Sequence, residues 1–220
     1  GEADEGSPTY EARGRAVALS LAGKPSGRLS EQGSYPLPGQ PGIRHADIDF
    51  SFDHRGGQAR ITMRDGALEW PDVFEDPVLP LDQLDAHARW TMAAGGRIDV
   101  ALDDVRLSNA DVEGTASARW HTADPATSSA KSRFPGVLDL TARLTRADAT
   151  RVHRYLPLSV PADVRRYLRE ATLAGSSPRV DFRIRGDLWD APFARGAASS
   201  GEFRIAAQLQ GIDFDYVPAY

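Results

Sequence analysis

The sequence contains no cysteine, and only Lys24 and Lys131 among its 26 basic residues are lysines. The absence of cysteine favours an exported protein, because bacterial proteins in an oxidising compartment often avoid unpaired thiols. The scarcity of lysine leaves 24 arginines. Together with abundant alanine, glycine and proline, this bias is typical of a GC-rich bacterial genome and indicates no particular function.

The sequence also lacks an apolar run of the roughly 20 residues that a membrane-spanning helix needs, and it lacks a signal peptide. The chain begins at Gly1 and stops at Tyr220, beside an alternating run, so we expect a segment of a longer protein. Positive charge is not in excess, since 31 acidic residues stand against 26 basic ones. A nucleic-acid-binding domain would more often carry a basic surface, so we predict no nucleic-acid partner.

Motifs of common catalytic sites are absent as well: there is no phosphate-binding glycine loop, no G-x-S-x-G elbow and no H-E-x-x-H pair. The sharpest candidate is the His45 cluster, formed by His45, Asp47, Asp49 and Asp53. On a strand these side chains would project from one face at two-residue steps, as in a partial metal site. The solvated face of a half-buried strand gives the same pattern. We therefore predict no catalytic residue, no metal and no cofactor.

What the sequence does contain is repeated alternation of apolar and polar residues, as where Ile48, Phe50 and Phe52 share one strand face. Similar runs lie at residues 84–92, 115–120, 137–144 and 180–188. This periodicity predicts a mainly β protein of short antiparallel strands, each with one apolar face and one solvated face.

The alternation changes parity at three dipeptides: Asp65-Gly66, Asp103-Asp104 and Gln210-Gly211. At the first, the sequence predicts a two-residue turn that pairs Met63 with Leu68. The same turn would place Ile61 opposite Trp70. At the other two dipeptides, a hairpin or a one-residue bulge would each keep the apolar residues on one side, and both alternatives stay open.

One stretch, residues 147–176, is predicted to be a helical insertion. Pro161 suits the first helical position, Asp163 suits the positive helix start, and Gly175 suits the C-terminal cap. The predicted helix has an apolar stripe formed by Val164, Tyr167, Leu168 and Ala171. Its arginines, Arg165, Arg166 and Arg169, are expected on the solvated side. The remaining segments are a frayed start, first strand and Gly/Pro-rich loop at 1–42, an antiparallel β segment at 43–146, and a β segment at 177–220 that continues the same sheet.

The apolar strand faces need a cover, because exposed apolar area costs about 25 cal/mol per Å². Either the sheet closes on itself as a sandwich or barrel, or it forms a groove that a ligand fills. Small residues on the apolar face favour the groove, although alanine is also common in GC-rich genomes: Ala86, Ala88, Ala116, Ala118, Ala142 and Ala207. The predicted groove residues are Ile61, Met63, Trp90, Val100, Leu140, Phe182, Ile184 and Ile205.

Five stretches carry a family resemblance: "RYLPLSVPADVRRYL", "GDLWDAPF", "GEFRIAAQLQGIDFDYVPAY", "GALEWPDVFEDPVLPLDQLDAHARW" and "DVRLSNADVEGTASARW". Individually they are loose patterns, but jointly they resemble the YhdP family of AsmA-like proteins over residues 43–220. Two departures stand out. Tyr167 occupies a position where the resemblance leads us to expect Trp, and residues 22–42 match nothing in the pattern.

The resemblance implies an elongated, twisted antiparallel sheet with a hydrophobic groove, of the β-taco type, in a long periplasmic protein of Gram-negative bacteria. It implies a non-enzymatic bridge that carries phospholipid acyl chains between inner and outer membrane. Its partners would be phospholipid, the inner membrane through an anchor absent from this chain, and outer-membrane components. The helix, through Val164, Tyr167 and Leu168, would be a lid or brace. The alternatives are a docking β module that pairs with partner proteins and a metal-dependent enzyme using the His45 cluster.

Overall fold

Nine β-strands follow one another in space in the order of the sequence, and each pairs antiparallel with the next. The structure, a computed structural model, describes residues 10–29, 35–93, 95–190 and 201–216. The strands are β1 Glu11–Leu21, β2 Gly42–Asp53, β3 Gly56–Glu69, β4 Val78–Met92, β5 Ile98–Ser108, β6 Val112–His121, β7 Val137–Asp148, β8 Thr172–Asp187 and β9 Glu202–Phe214. The mainly β, antiparallel fold is therefore confirmed. Because the described strands form one open sheet with β1 and β9 at its edges, the closed sandwich or barrel is wrong.

The strand register separates apolar from charged side chains over the whole sheet. Met63 of β3 lies opposite Leu84 of β4, which in turn lies opposite Leu107 of β5. On the other side of the sheet, Arg60 lies opposite His87. Directly opposed residues share a face in an antiparallel sheet. One side, the apolar face, thus carries the hydrophobic row, and the other, the wet face, carries the charges.

All three changes of parity are bulges inside continuous strands. Asp65, Asp104 and Gly211 adopt left-handed backbone conformations, with φ of 50°, 52° and 59°. The turn predicted at Asp65-Gly66 is wrong, because β3 runs through it and Leu68 pairs with Leu79 of β4. A left-handed residue serves a tight turn and a bulge equally well, so the dipeptide alone fits both. Pairing with β2 on one side and β4 on the other keeps the strand continuous.

The helical insertion is shorter than its predicted span of 147–176. It consists of a 3₁₀ helix, Ala149–Tyr155, and one α-helix, α1, Ala162–Ala171; a second short 3₁₀ helix, Leu188–Asp190, follows β8. Pro161 is the N-cap of α1 and not its first helical residue, so the helix begins at Ala162, one residue later than predicted. Gly175 is not the C-terminal cap; it lies within β8 at φ 134°. A Cβ atom there would collide with the side chain of Ile212 in β9, so close strand approach explains this glycine.

The two ends of the strands differ in what lies beside them. At one end, the capped end, lie the connection between β1 and β2, the loop at residues 70–77, the β5–β6 turn and the helical insertion. At the other, the open end, lie the turn at 54–55, the loops at 93–97 and 122–136, and the 3₁₀ helix Leu188–Asp190 that follows β8. The buried hydrophobic residues of the strands lie in the capped half or near the strand middle: Ala46, Met63, Ala67, Leu79, Leu81, Leu84, Ala86, Val112 and Val180. The frayed start is predicted for residues 1–14: residues 1–9 lie outside the described residues, and residues 11–14 belong to β1, so the prediction is wrong for them.

Candidate functional site

The eight residues predicted to line a groove all lie on the apolar face: Ile61, Met63, Trp90, Val100, Leu140, Phe182, Ile184 and Ile205. Trp90 lies directly opposite Val100. Phe182 lies between two neighbours on this face, Ala142 and Ile205. The register thus brings together side chains from six strands that span 144 positions of sequence between Ile61 and Ile205. Their contact with a lipid stays a prediction.

Small side chains are concentrated along the middle of this face, and we call this set the alanine furrow. Its members are Ala59, Ala86, Ala88, Ala116, Ala118 and Ala142. On β5, Leu102 and Val105 lie between these alanines in the same rows. Because adjacent strands are spaced about 4.8 Å apart, the furrow extends roughly 19 Å from β3 to β7, across the strands. Towards the capped end it is bordered by Met63, Leu84, Leu107 and Leu144. The furrow therefore runs along the sheet, across the strands, from β3 to β7.

An aromatic wall borders the furrow towards the open end. It consists of Phe52, Trp90 and Trp120, with the centroids of Phe52 and Trp90 6.3 Å apart. The indole Nε1–H of Trp120 donates to the carbonyl of Pro135 at 2.9 Å, which fixes that ring. Gly57 lies beneath the first two rings; a Cβ atom there would be 2.6 Å from Cζ2 of Trp90. Phe52 and Trp120 are not among the predicted groove residues. The signal in the sequence that could have identified them is Gly57, because a glycine in a strand lets rings approach the backbone closely.

In the inner strands, exposure of the apolar face increases away from the capped end. Met63 is 1 % exposed, whereas Trp90 and Val100 are half-buried. The edge strand β9 is exposed towards both ends, since Phe203 is 48 % and Leu209 is 61 % exposed. Contiguous exposed apolar surface on a soluble protein marks a binding site or an interface. The inner strands therefore bury their apolar face towards the capped end and leave it accessible towards the open end.

The helical insertion is fastened to the capped end by a polar network. The guanidinium of Arg154 pairs with Asp111 at 2.7 Å and with Asp76 at 3.1 Å. The hydroxyl of Tyr155 donates to Asp111 at 3.0 Å and accepts from the amide of Asn109 at 3.1 Å. Burial raises the pKa of Tyr155 to about 12, so the hydroxyl remains a donor at neutral pH. The network ties the insertion to the β5–β6 turn and to the loop before β4.

The helix α1 packs mainly at its C-terminal half. Tyr167 packs edge-on against Phe214 of β9 at 5.9 Å, and Leu168 is half-buried. Val164 remains 41 % exposed. Arg165 is 9 % exposed, so its assignment to the solvated side is wrong. Its guanidinium donates to main-chain carbonyls of residues 158 and 160, which draws it inward. The helix thus braces the end of β9, and its role as a lid over the furrow stays a prediction.

The wet face carries ladders of arginine and aspartate. Asp103 receives hydrogen bonds from Arg89 and Arg119, at 2.5 and 2.7 Å, and these two cations hold its pKa below the usual range. Arg179 and Arg143 lower the pKa of Asp181 in the same way. These pairs are solvent-exposed, where a single ion pair contributes about 0–1 kcal/mol. The ladders explain how a face with so many arginines stays solvated and regular.

A bulge in β2 separates His45 from the three aspartates of the His45 cluster. His45 occupies the bulge of β2, with φ 57°, while Asp47 accepts from the backbone amide of Ala18 at 2.9 Å. Asp49 lies 3.8 Å from Arg15. Asp53 accepts from the backbone amides of residues 55 and 56 and fixes the β2–β3 turn. Within the described residues, no three potential metal ligands come together, and each of these carboxylates has a structural partner.

Comparisons with known proteins bear on what the apolar face does. A protein-family profile, described as YhdP protein, matches residues 7–219. The match begins well before residue 43, so it takes in the loop at 22–42 that the sequence patterns left unassigned. This family is not a known family of enzymes. Searches of curated proteins and of solved structures returned no match.

None of the helices in the described ranges combines the length and the apolar character that a membrane crossing requires.

Proposed function

The chain belongs to the YhdP family, and on that premise we propose that it is a segment of a periplasmic lipid-transfer protein of Gram-negative bacteria. In this proposal the apolar face carries the acyl chains of phospholipids between the inner and the outer membrane. The protein would act without a catalytic group and would be held at the inner membrane by an anchor outside this chain. The observation that supports the proposal is the accessible, uninterrupted apolar face, with its alanine furrow crossing from β3 to β7.

The furrow has dimensions suited to an extended acyl chain. Its length of roughly 19 Å exceeds the thickness of hydrocarbon in one membrane leaflet, which is about 15 Å. No charged residue is part of the two rows that contain Ala86 and Ala88. A methylene group gains about 0.8 kcal/mol on leaving water, but it gains little on moving between two apolar surroundings. An acyl chain can therefore exchange between bilayer and furrow without a large free-energy change.

The headgroup has a different requirement, since an ionised phosphate is costly to bury without a partner. The open end leaves the edge of the furrow in contact with water beyond the aromatic wall. Tryptophan rings are favourable at such a boundary, because one end of the ring is apolar and the other carries an N–H. We therefore place headgroups along the open end and acyl chains along the furrow. The lipid would move along the long axis of the sheet, parallel to the furrow and to the row of headgroups at the open end.

The experiment is to fill the furrow and measure lipid binding. Ala116→Phe would place a ring in the furrow, whereas Ser117→Phe places the same ring one residue further along β6, on the wet face. We expect Ala116→Phe to abolish the phospholipid that native mass spectrometry detects on the full chain, and Ser117→Phe to keep it. Both variants are checked for folding by circular dichroism and thermal unfolding. Equal lipid loss in two folded variants would contradict the proposal.

One observation favours a second function, docking of a partner polypeptide. The edge strand β9 is exposed along nearly its whole length, and Leu209 is 61 % exposed. Long apolar edge strands readily accept another strand through their unpaired backbone groups. A photo-crosslinking residue at Gln208, on β9, and a second at Ala118, in the furrow, distinguish the two functions in cells. A defined protein crosslinked at Gln208 without lipid at Ala118 would favour docking over lipid transfer.

A further inference from the structure

The loops of the open end contain two cations that their surroundings leave unpaired. The carboxylates of these loops are already hydrogen-bonded inside the chain: Asp53 to backbone amides of residues 55 and 56, Asp99 to Arg97, Asp124 to the amide of residue 126, Asp187 to Ser128, and Asp190 to Ser129. Arg133 donates to two carbonyls of the β4–β5 loop. Among the described residues of these loops, Arg55 and Lys131 are the cations whose charged groups have neither an ion pair within 4 Å nor a hydrogen bond, whereas Arg97 pairs with Asp99 and Arg133 binds the two carbonyls. The charge of Arg55 contributes to lowering the pKa of Asp53, without direct contact within 4 Å.

Both cations lie on loops that are fixed in place beside the aromatic wall. The carbonyl of Arg55 accepts from the amide of Met92 at 2.7 Å, which fastens the β2–β3 turn two residues from Trp90. Lys131 lies on the β6–β7 loop, which Ser128 holds to Asp187 at 2.7 Å. In the same loop, Phe134 stacks on Trp120 at 6.1 Å. Both Arg55 and Lys131 are exposed, so their charged groups are free to contact a ligand from solvent.

We propose that Arg55 and Lys131 bind the phosphate groups of phospholipids whose acyl chains lie in the alanine furrow. The inference rests on the proposed function and adds where the headgroups lie and which residues contact them. A phosphate at this edge sits on the water side of the Trp90 and Trp120 rings while its acyl chain passes behind them. Hydrogen bonds between a cation and a phosphate are stronger than neutral ones. The two cations lie about four strand spacings apart, roughly 19 Å, so they mark two successive headgroup positions along the sheet.

The chain offers a matched control at the capped end. Arg151 and Arg166 are exposed cations of the helical insertion, and the structure shows no ion pair within 4 Å for either. The double variant Arg55→Gln/Lys131→Gln and the double variant Arg151→Gln/Arg166→Gln remove the same charge from opposite ends. Binding of phosphatidylglycerol to the full chain is titrated for each, with 1-hexadecanol as a ligand that has an acyl-like chain and no phosphate. Glycerol 3-phosphate serves as a phosphate without an acyl chain.

We expect the open-end variant to bind phosphatidylglycerol roughly tenfold more weakly, from two exposed charge contacts of about 0.7 kcal/mol each. Its affinity for 1-hexadecanol should equal that of the unmodified chain, and the capped-end variant should match the unmodified chain for both ligands. Unchanged phosphatidylglycerol binding in the open-end variant, or an equal loss in the capped-end variant, would overturn the inference. Glycerol 3-phosphate that competes as well as the lipid would also overturn it, since a free phosphate would then be the ligand. Failure of the unmodified chain to bind either long-chain ligand would instead overturn the proposed function itself.

Discussion

At the capped end Met63 and Leu81 are 1 % and 5 % exposed, whereas near the open end Phe134 is 58 % exposed, although all three belong to one continuous sheet or its connections. The strands are built from the same alternation at both ends. The difference lies in what the connections contribute. A polar network holds a helical insertion and the loop at 70–77 at one end, and the other end has a two-residue turn, the loops at 93–97 and 122–136, and the 3₁₀ helix Leu188–Asp190. Burial at the first end stabilises the fold, and exposure at the second leaves surface for binding.

The largest contrast is expected from a charge placed in the accessible half of the apolar face. Ile184→Asp puts a carboxylate beside Leu140, where acyl chains are proposed to lie, and both its ionised and its neutral form obstruct an apolar ligand. We expect lipid binding to fall below detection. The full-length parent in its own bacterium should then lose its contribution to outer-membrane lipid supply, read as detergent sensitivity. The double variant His45→Ala/Asp49→Ala should leave both readouts unchanged, provided that all proteins fold. The opposite pattern in folded proteins would assign the function to the polar cluster.

The stability of the fold, in contrast to lipid binding, should depend more on the capped half than on the open half. Met63→Ala removes a fully buried side chain from the capped half, and we expect it to lower the free energy of unfolding by about 2–5 kcal/mol. Val100→Ala removes a half-buried side chain and should cost about 1 kcal/mol. Urea unfolding followed by circular dichroism measures both. Similar losses for the two variants would remove the distinction between the ends.

The polar network can be loosened without touching the apolar face. Tyr155→Phe deletes the hydroxyl that joins Asn109 to Asp111, and leaving these two buried groups short of a partner should cost about 1–3 kcal/mol. We expect hydrogen exchange to accelerate in residues 149–160, with no change in the loop at 122–136. Faster exchange at both ends would mean that the network stabilises the whole sheet and is not specific to the capped end.

The smallest effect is a pH dependence confined to the capped end. Burial, followed by the charge of Arg169, lowers the pKa of His153 below its ordinary value of about 6.5. Because the folded pKa is below the unfolded one, stability is complete above about pH 6.5 and declines as the pH falls towards the folded pKa. Thermal unfolding between pH 7.5 and 5.5 should show this decline, and His153→Asn should flatten it. A decline that persists in His153→Asn would locate the titrating group elsewhere.

Alternation alone was sufficient to place the residues of the apolar face, because a period of two has only two phases and each stretch between bulges obeys one of them. It could not identify the turn predicted at Asp65-Gly66 as a bulge. Both structures need a left-handed residue at that point, and the deciding factor is pairing with β2 and β4, which lie far away in sequence. Another bulge, at His45, was not predicted, because a single histidine is only a weak local signal for a left-handed conformation.

Burial of Arg165 was unpredictable for a related reason. Its position on the helix marks it as solvated, and only the chain folding back at residues 158–160 supplies carbonyls for its guanidinium. Coverage of the apolar face also depends on connections whose sequences show no periodicity. The sequence thus indicates which side of each strand is apolar, while the position of the loops decides which part of that side is accessible.

The strand order, in which each strand pairs with its neighbours in the sequence, has an energetic consequence. In such a meander each strand interacts mainly with its two neighbours, as each repeat does in a repeat protein. The stability of the sheet is then close to the sum of the intrinsic stabilities of the strands and the energies of the interfaces between neighbouring strands. A destabilising substitution in one strand should then lower the stability of that strand and of its two neighbours, while distant strands remain folded. Deletion or insertion of a whole hairpin removes or adds two strands. The remaining strands keep their directions, so the apolar face and the wet face stay on the same sides of the sheet. A sheet of this kind can change its length in evolution by one hairpin at a time and keep its furrow continuous.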